Sequence, residues 1–462
     1  MYTIRLFLLC LGVVSTSSAL FGDDFLDLQK RKTDRLVIVA PELLHPALKD
    51  LVEFKKSLRP TEIVSLETIL KSSNGVDDPE KLKTWLYEEW SKRGLGYVLL
   101  VGDVSVLPVR YMVLDRVTPA AFDYSFYPSD LYYSDLAKQD GSFESWNGSS
   151  DSFHASYFGE VRGEKNKTDP INFDTIDYRP DIAVGRWPVE TPEETALIAR
   201  KTIACEKSIL EGKSPHLRKA AFVAVGGWVD SRGLMDNLAK SLEPTWTSTK
   251  RYYSGGGRKS STPPTHEATR AILNDGVSLI VHAGHGQSDA WEQCFSVRDL
   301  EKLTNSSQLP VVISAGCSTA YFAPLAPYGA YVDTSGVEHI GTDSGEKFTA
   351  PPPPPSPLQK GKFNPTGLGE QILKQNERGA VAYIGCNTGS QPCGLTLVEG
   401  FVQAIGKQRS AKLGDCWSSA IIHYYEKERL ANLKPDDGWY PPSIFFQGMK
   451  FMLFGDPSLT MP

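Results

Sequence analysis

Val277-Ser-Leu-Ile-Val-His-Ala-Gly-His-Gly286 and Leu309-Pro-Val-Val-Ile-Ser-Ala-Gly-Cys-Ser318 share one design: a short apolar, β-rich run that stops at a glycine carrying a reactive neighbour. In the first, Gly284 and Gly286 let the backbone turn sharply and leave the His285 imidazole exposed beside the turn. In the second, Gly316 places the Cys317 thiol at the matching position. The stretch between them, Val297 to Leu303, reads as a helix of the length a right-handed crossover needs, so the two strands are expected to be parallel neighbours or near neighbours. Open α/β sheets put their chemistry beyond the carboxyl ends of the strands. A histidine and a cysteine therefore fall at one sheet edge.

The same alternation extends in both directions. Strands are expected at Arg35 to Ala40, Ile63 to Leu66, Gly96 to Val101 and Ile182 to Gly185, with helices at His45 to Leu58, Asp78 to Arg93 and Pro192 to Leu210. A Ser/Pro/Lys break at Gly212 to Leu217 closes a first α/β lobe over residues 34–211. A second lobe, 218–462, repeats the pattern with strands at Ala220 to Val225, Ser248 to Tyr253, Val277 to His282, Leu309 to Ser314, Ala380 to Gly385 and Lys450 to Phe454. Its helices are expected at Gly233 to Ser241, His266 to Leu273, Leu397 to Ile405 and Leu413 to Arg429. Residues 323–365, with five consecutive prolines from Pro351 to Pro355, read as a long exposed loop with polyproline geometry at its centre.

The 462 residues suffice for two to three packing units, and the net charge of −6 argues against a nucleic-acid partner, whose phosphates need clustered cations. Arg5, the apolar run Leu6 to Val14 and the small residues Ser17-Ser18-Ala19 read as a signal peptide over residues 1–19, followed by a short linker at 20–33. The protein is thus expected to be secreted or exported. No later segment approaches the roughly 20 apolar residues of a membrane span. Removal of the leader takes the cysteines from seven to six, too few for a disulfide scaffold in so long a chain. Cys386 and Cys393 are near enough in sequence to bridge, and also read as separate core residues. Asn147, Asn166 and Asn305 open glycosylation sequons that matter only in a eukaryote.

A thiol needs a nearby base or cation to become thiolate, and an imidazole both provides this and later protonates a leaving amine. Competing motifs fail on spacing. His282 and His285 lie three apart on a strand and face opposite sides, so no shared metal ion is expected. Gly212-Lys213-Ser214 lacks the first glycine of a phosphate loop, and Gly286-Gln-Ser288-Asp-Ala290 misses the last glycine of a serine-hydrolase elbow.

These residues carry a resemblance. Asn274-Asp-Gly-Val-Ser-Leu-Ile-Val-His-Ala-Gly-His285-Gly286, with Ala290-Trp291, resembles the histidine motif of the gingipain family of caspase-like cysteine peptidases. Asn305-Ser-Ser-Gln-Leu-Pro, running on to Gly316-Cys317, is similar to that family's nucleophile segment. Gly379-Ala-Val-Ala-Tyr-Ile-Gly and Phe454-Gly-Asp-Pro-Ser-Leu459 resemble its later strands, and Pro128-Ser-Asp130-Leu-Tyr-Tyr and Ile182-Ala-Val-Gly-Arg186 its first lobe. The resemblance implies a caspase-like three-layer α/β/α fold with mostly parallel sheets in two lobes. It also implies a cysteine endopeptidase acting on peptide or protein substrates without a cofactor, with structural calcium not readable from sequence.

In that reading Cys317 is the nucleophile, His285 the general acid/base, and the amides of Gly286 and Cys317 meet the tetrahedral oxyanion. Asp130 is the candidate acid from the first lobe, either supporting His285 or binding a basic P1 side chain; Asp123 is second to it. The pocket role is preferred because Tyr132 and Tyr133 offer apolar walls. The sequence departs from the family where a pocket tryptophan is expected, having Asn387-Thr-Gly-Ser-Gln-Pro-Cys393 instead, which puts Arg or Lys specificity in doubt. The linker is too short for a folded inhibitory propeptide, so a stripped catalytic unit is expected, either active without processing or processed within the 323–365 loop. The alternative is a caspase-like pseudoenzyme that binds peptides or a protein partner.

Overall fold

The computed structural model describes residues 33–114, 125–147, 157–159, 170–172, 174–212, 214–361, 366–407, 410–434 and 441–462. The leader at 1–19, most of the linker, Asp123 and Asn166 lie outside the described residues.

The strands, in chain order, are β1 (Arg35–Ala40), β2 (Thr61–Ser65), β3 (Leu95–Val101), the hairpin β4 (Arg110–Val113) and β5 (Phe126–Ser129), and β6 (Ala183–Trp187). Then come β7 (Lys219–Ala224), β8 (Thr247–Tyr252), β9 (Leu279–Ala283), and the short meander β10 (Gly286–Gln287), β11 (Ala290–Trp291) and β12 (Phe295–Ser296). They finish with β13 (Val311–Ser314), the hairpin β14 (Tyr331–Val332) and β15 (Glu338–His339), β16 (Ala382–Cys386) and β17 (Phe451–Phe454). Ten of them form one sheet in the order β2-β1-β3-β6-β17-β16-β13-β9-β7-β8.

Why the inner strands are mostly apolar runs is explained by the layers. Along β1, Val37 and Val39 enter one core with the helices Asp78–Arg93, Arg232–Ser241, Gly394–Lys407 and Leu413–Lys427. Leu36, Ile38 and Ala40 enter another with the helices His45–Lys56, His266–Asp275 and Leu368–Leu373. A strand buried on both faces needs no polar alternation, and the result is the three-layer arrangement expected. Helix ends obey local rules equally closely. The Asp77 side chain accepts the Glu80 amide, Pro79 opens the first turn, and Gly94 at φ +68° closes the helix Asp78–Arg93.

The two halves of this sheet, β2-β1-β3-β6-β17 and β16-β13-β9-β7-β8, run in opposite directions. β17 is parallel to β6 but antiparallel to β16, while β16, β13, β9 and β7 are mutually parallel. The carboxyl ends of β16, β13, β9 and β7 therefore lie at the same edge of the sheet as the amino ends of β17 and β6. The strand at this seam, β17, is the last in chain order, and a buried charge cluster anchors Asp456 just beyond it. Lys55 Nζ pairs with Glu206 and with Asp456 at 2.5 Å, all three fully or almost fully buried.

Two expectations need correction. Residues 323–365 do not form a merely exposed loop: Tyr331 is fully buried, its hydroxyl donates to Pro353 O at 3.0 Å, and β14 pairs with β15. The buried Gln359 amide serves both backbone groups of Val332, at 2.9 and 2.8 Å. Proline has no N–H but its carbonyl accepts normally, and Pro354 O takes the Thr334 amide at 3.0 Å. Asn305, read as a possible glycan acceptor, is 1% exposed and exchanges hydrogen bonds with both backbone groups of Gly379, at 2.8 and 3.0 Å.

The β14–β15 hairpin also carries a pH dependence. His339 stacks on Tyr331, with Nδ1 2.7 Å from Glu346 and Nε2 3.2 Å from Asp333. Burial alone would lower its affinity for a proton, but the bonds and charges of Glu346 and Asp333 outweigh that and hold the imidazole above its ordinary value. A raised folded value means the stabilisation is complete below the unfolded value and lost as pH rises through the folded one. Amide exchange in the 331–346 segment should accelerate beyond its intrinsic pH dependence as pH rises above the ordinary imidazole value. His339→Gln should remove the excess; an identical profile in both proteins refutes the role.

Candidate active site

β9 and β13 are adjacent, with His282 opposite Ser314, so His285 and Cys317 each stand three residues beyond an aligned pair. Their tips touch. A Cβ built on Gly286 would lie 2.6 Å from Cys317 O and 2.8 Å from the Gly316 carbonyl carbon, a position only glycine tolerates. Both His285 and Cys317 are half-buried, open enough for a substrate to reach.

The His285 ring is oriented by a backbone carbonyl. Its Nε2 lies 2.8 Å from Gly227 O, and because a carbonyl only accepts, Nε2 carries the hydrogen and Nδ1 keeps the lone pair of a base. Gly227 lies just past β7, β9's other neighbour, and sits at φ +93°, where a side chain strains the backbone. Gly227→Ala should therefore turn the carbonyl away and lower turnover about 10- to 100-fold with the protein still folded. Steady-state cleavage by a variant with unchanged far-ultraviolet circular dichroism checks this; wild-type turnover would remove Gly227 from the site.

Cys317 Sγ accepts the Ser390 amide at 3.3 Å and lies 3.5 Å from Ser390 O. Beneath it, Ser314 Oγ accepts the Gly316 amide at 3.1 Å and meets His282 Nδ1 at 2.9 Å. His282 is fully buried and stacks on Trp291 with ring centres 4.5 Å apart, and burial pushes it down to about 3, so it stays neutral. His282 lies within β9 and His285 two residues beyond its end, so the two histidines have different surroundings. Among the described residues no group of three or more His, Cys, Asp or Glu fits a metal ion.

The structure brings His285, Gly286 and Cys317 together and ties Asp130 to an arginine. Both Asp130 oxygens accept from Arg186, at 2.7 Å each, and Arg186 is fully buried. The same guanidinium donates to Gly102 O at 2.8 Å and Pro108 O at 3.2 Å, beyond the carboxyl end of β3. Two residues before Asp130, Pro128 O accepts from Asn387 Nδ2 at 2.7 Å, so the chain around Asp130 packs against the segment that follows β16. Asp130 is thus committed to a buried ion pair, and neither the orienting role nor the pocket role has a free carboxylate. Tyr132 and Tyr133 are likewise buried core residues, not pocket walls. Cys386 and Cys393 are both free, and Cys386 Sγ accepts from Gln447 Nε2 at 3.7 Å. Gly227 and Ser390 escaped the sequence reading. The pair Gly226-Gly227 just past a strand was a usable signal for the first; nothing local marks the second.

The sequence model of peptidase family C25 matches residues 29–462. The chain belongs to this family. The family is one of peptidases, and the gingipain resemblance of the motifs is family membership. Gingipain R2 of Porphyromonas gingivalis is 23% identical over 313 residues, covering 65% of this chain and 34% of the relative. Lys-gingipain W83 of the same organism is 24% identical over 172 residues, 37% of this chain and 10% of the relative. The chain spans about a third of the length of the first of these. Among solved structures, the Arg-specific cysteine proteinase gingipain R superposes with a TM-score of 0.58 at 17% identity, over 94% of this chain and 79% of that one. The complex of P. gingivalis RgpB pro- and mature domains gives 0.56 at 17%, over 92% and 79%. The C25 fold is therefore shared well beyond the range of sequence similarity. No helix among the described residues of this C25 chain is long and apolar enough to cross a membrane.

Proposed function

We propose that this C25 member is an exported cysteine endopeptidase that cleaves peptide bonds through a Cys317 acyl-enzyme. The observation that carries the reading is the meeting of the His285 and Cys317 tips with the imidazole tautomer set by Gly227 O. His285 Nδ1 takes the thiol proton, and the thiolate adds to the scissile carbonyl. The resulting oxyanion is met by the amides of Gly286 and Cys317; the Cys317 N–H makes no hydrogen bond among the described residues. The imidazolium then protonates the leaving amine as the C–N bond breaks. Water, deprotonated by the same imidazole, hydrolyses the thioester and restores the thiol.

Relatives are named for Arg and Lys, but Asp130 is spent on Arg186 here, so a basic P1 preference would need another acid. Export rests on the leader-like residues 1–19. The test is cleavage of a mixed peptide library by wild type and Cys317→Ala, which reports activity, nucleophile and P1 preference together. Peptide capture by the wild type without cleavage would leave a binding module in place of the enzyme.

A further inference from the structure

A free thiol is only a few per cent ionised near neutrality, roughly, so a cysteine nucleophile needs groups that favour its charged form. His285 is one. No lysine or arginine contact to Cys317 Sγ occurs among the described residues, and the one donor that reaches the sulfur is the Ser390 N–H at 3.3 Å. We propose that the Ser390 backbone amide holds the Cys317 thiolate, as a second activating group that deepens the peptidase reading and rests on it.

The two faces of Ser390 have opposite preferences. Its carbonyl, 3.5 Å from the sulfur, accepts the S–H of the neutral thiol, whereas its N–H is a better partner for a charged sulfur. On ionisation the S–H···O contact is given up, the proton passes to His285 Nδ1, and the N–H···S contact becomes charge-assisted. No net oxidation or reduction occurs.

The amide is fixed rather than floppy. On one side Asn387 N donates to Lys450 O at 2.8 Å and Asn387 Nδ2 to Pro128 O at 2.7 Å, while Thr388 O accepts the Ser318 amide at 2.7 Å. On the other, Gln391 N donates to Gln447 Oε1 at 3.0 Å. Ser390 itself is 4% exposed and packs on the first turn of the helix Gly394–Lys407, where a Cβ on Gly394 would lie 2.8 Å from Ser390 Oγ. A donor clamped from both sides loses little entropy in meeting the sulfur. It is also supplied by the segment where the resemblance leads one to expect a tryptophan.

The experiment is the rate of iodoacetamide alkylation of Cys317 against pH, with Cys317→Ala as the background for the other cysteines. Ser390→Pro deletes the N–H and keeps the carbonyl. It should move the alkylation midpoint up by about one pH unit and slow the reaction about tenfold at neutral pH. Should that variant fail to fold, replacing the Ser390 amide by an ester removes the same hydrogen without a ring and should give the same shift. A wild-type profile in the folded variant, proline or ester, overturns the proposal. The outcome is separable from failure of the peptidase reading, which shows instead as undiminished cleavage by Cys317→Ala.

Discussion

Cys317→Ala is expected to lose peptide cleavage by a factor of about 10⁴ or more while its unfolding transition stays within ~1 kcal/mol of wild type. The asymmetry comes from position. Cys317 is at a half-buried strand tip, its sulfur held by a single backbone residue, so truncation leaves little cavity and strands no buried charge. The chemical step, by contrast, loses its thiol, and the hydroxyls behind it are engaged: Ser314 with Gly316 and His282, and Thr319 with Gly316 O at 3.2 Å. Turnover on a library-derived peptide and a denaturant titration on one preparation decide it. Unchanged turnover would end the assignment of Cys317, and a large loss of stability with the activity would make the residue structural.

Asp130→Ala should behave in the opposite way, costing about 3–5 kcal/mol of stability, because it leaves the Arg186 guanidinium buried with its ion-pair partner removed. The carbonyls of Gly102, Leu107 and Pro108 still accept from Arg186, but they cannot neutralise it. The measurement is the urea midpoint at unchanged slope. Asp130→Asn, which keeps the shape and loses the charge, should be the milder of the two, and once folded should cleave peptides with basic and neutral P1 residues in the wild-type ratio. A stable Asp130→Asn protein defective only on basic P1 peptides would restore the pocket role.

Much of the fold was legible because the signals were local. Continuous apolar runs located the inner strands of the main sheet, though not the polar edge strand β8, and Asp77, Pro79 and Gly94 punctuated the helix Asp78–Arg93 at the residues where it starts and stops. The hairpin β4–β5 was missed because its strands show no period of two, being buried throughout. Pairing was not legible either. Phe451 to Phe454 reads as a strand, but nothing in four apolar residues says that they lie between β6 and β16 or that they reverse the direction of half the sheet. At the site, His285 and Cys317 announced themselves through flanking glycines. The error at Asp130 has the same root as the missed pairing: its partner Arg186 is 56 residues away, and tyrosines adjacent in sequence suggested a pocket where the chain builds a core.

The seam strand also sets a clock. β6 and β16 both exist as open edges until β17 arrives, and the ribosome needs roughly 15 to 50 seconds to pass from β6 to β17 at ordinary elongation rates. The segment that reaches Cys317 depends on that arrival, since Asn387 N is held by Lys450 O and Cys386 pairs with Phe451. The nascent chain thus carries its histidine and cysteine for many seconds without the frame that aligns the second wall of the site. On the proposed reading, the wall that bears Ser390 is framed only after β17 has been made, well after His285 and Cys317.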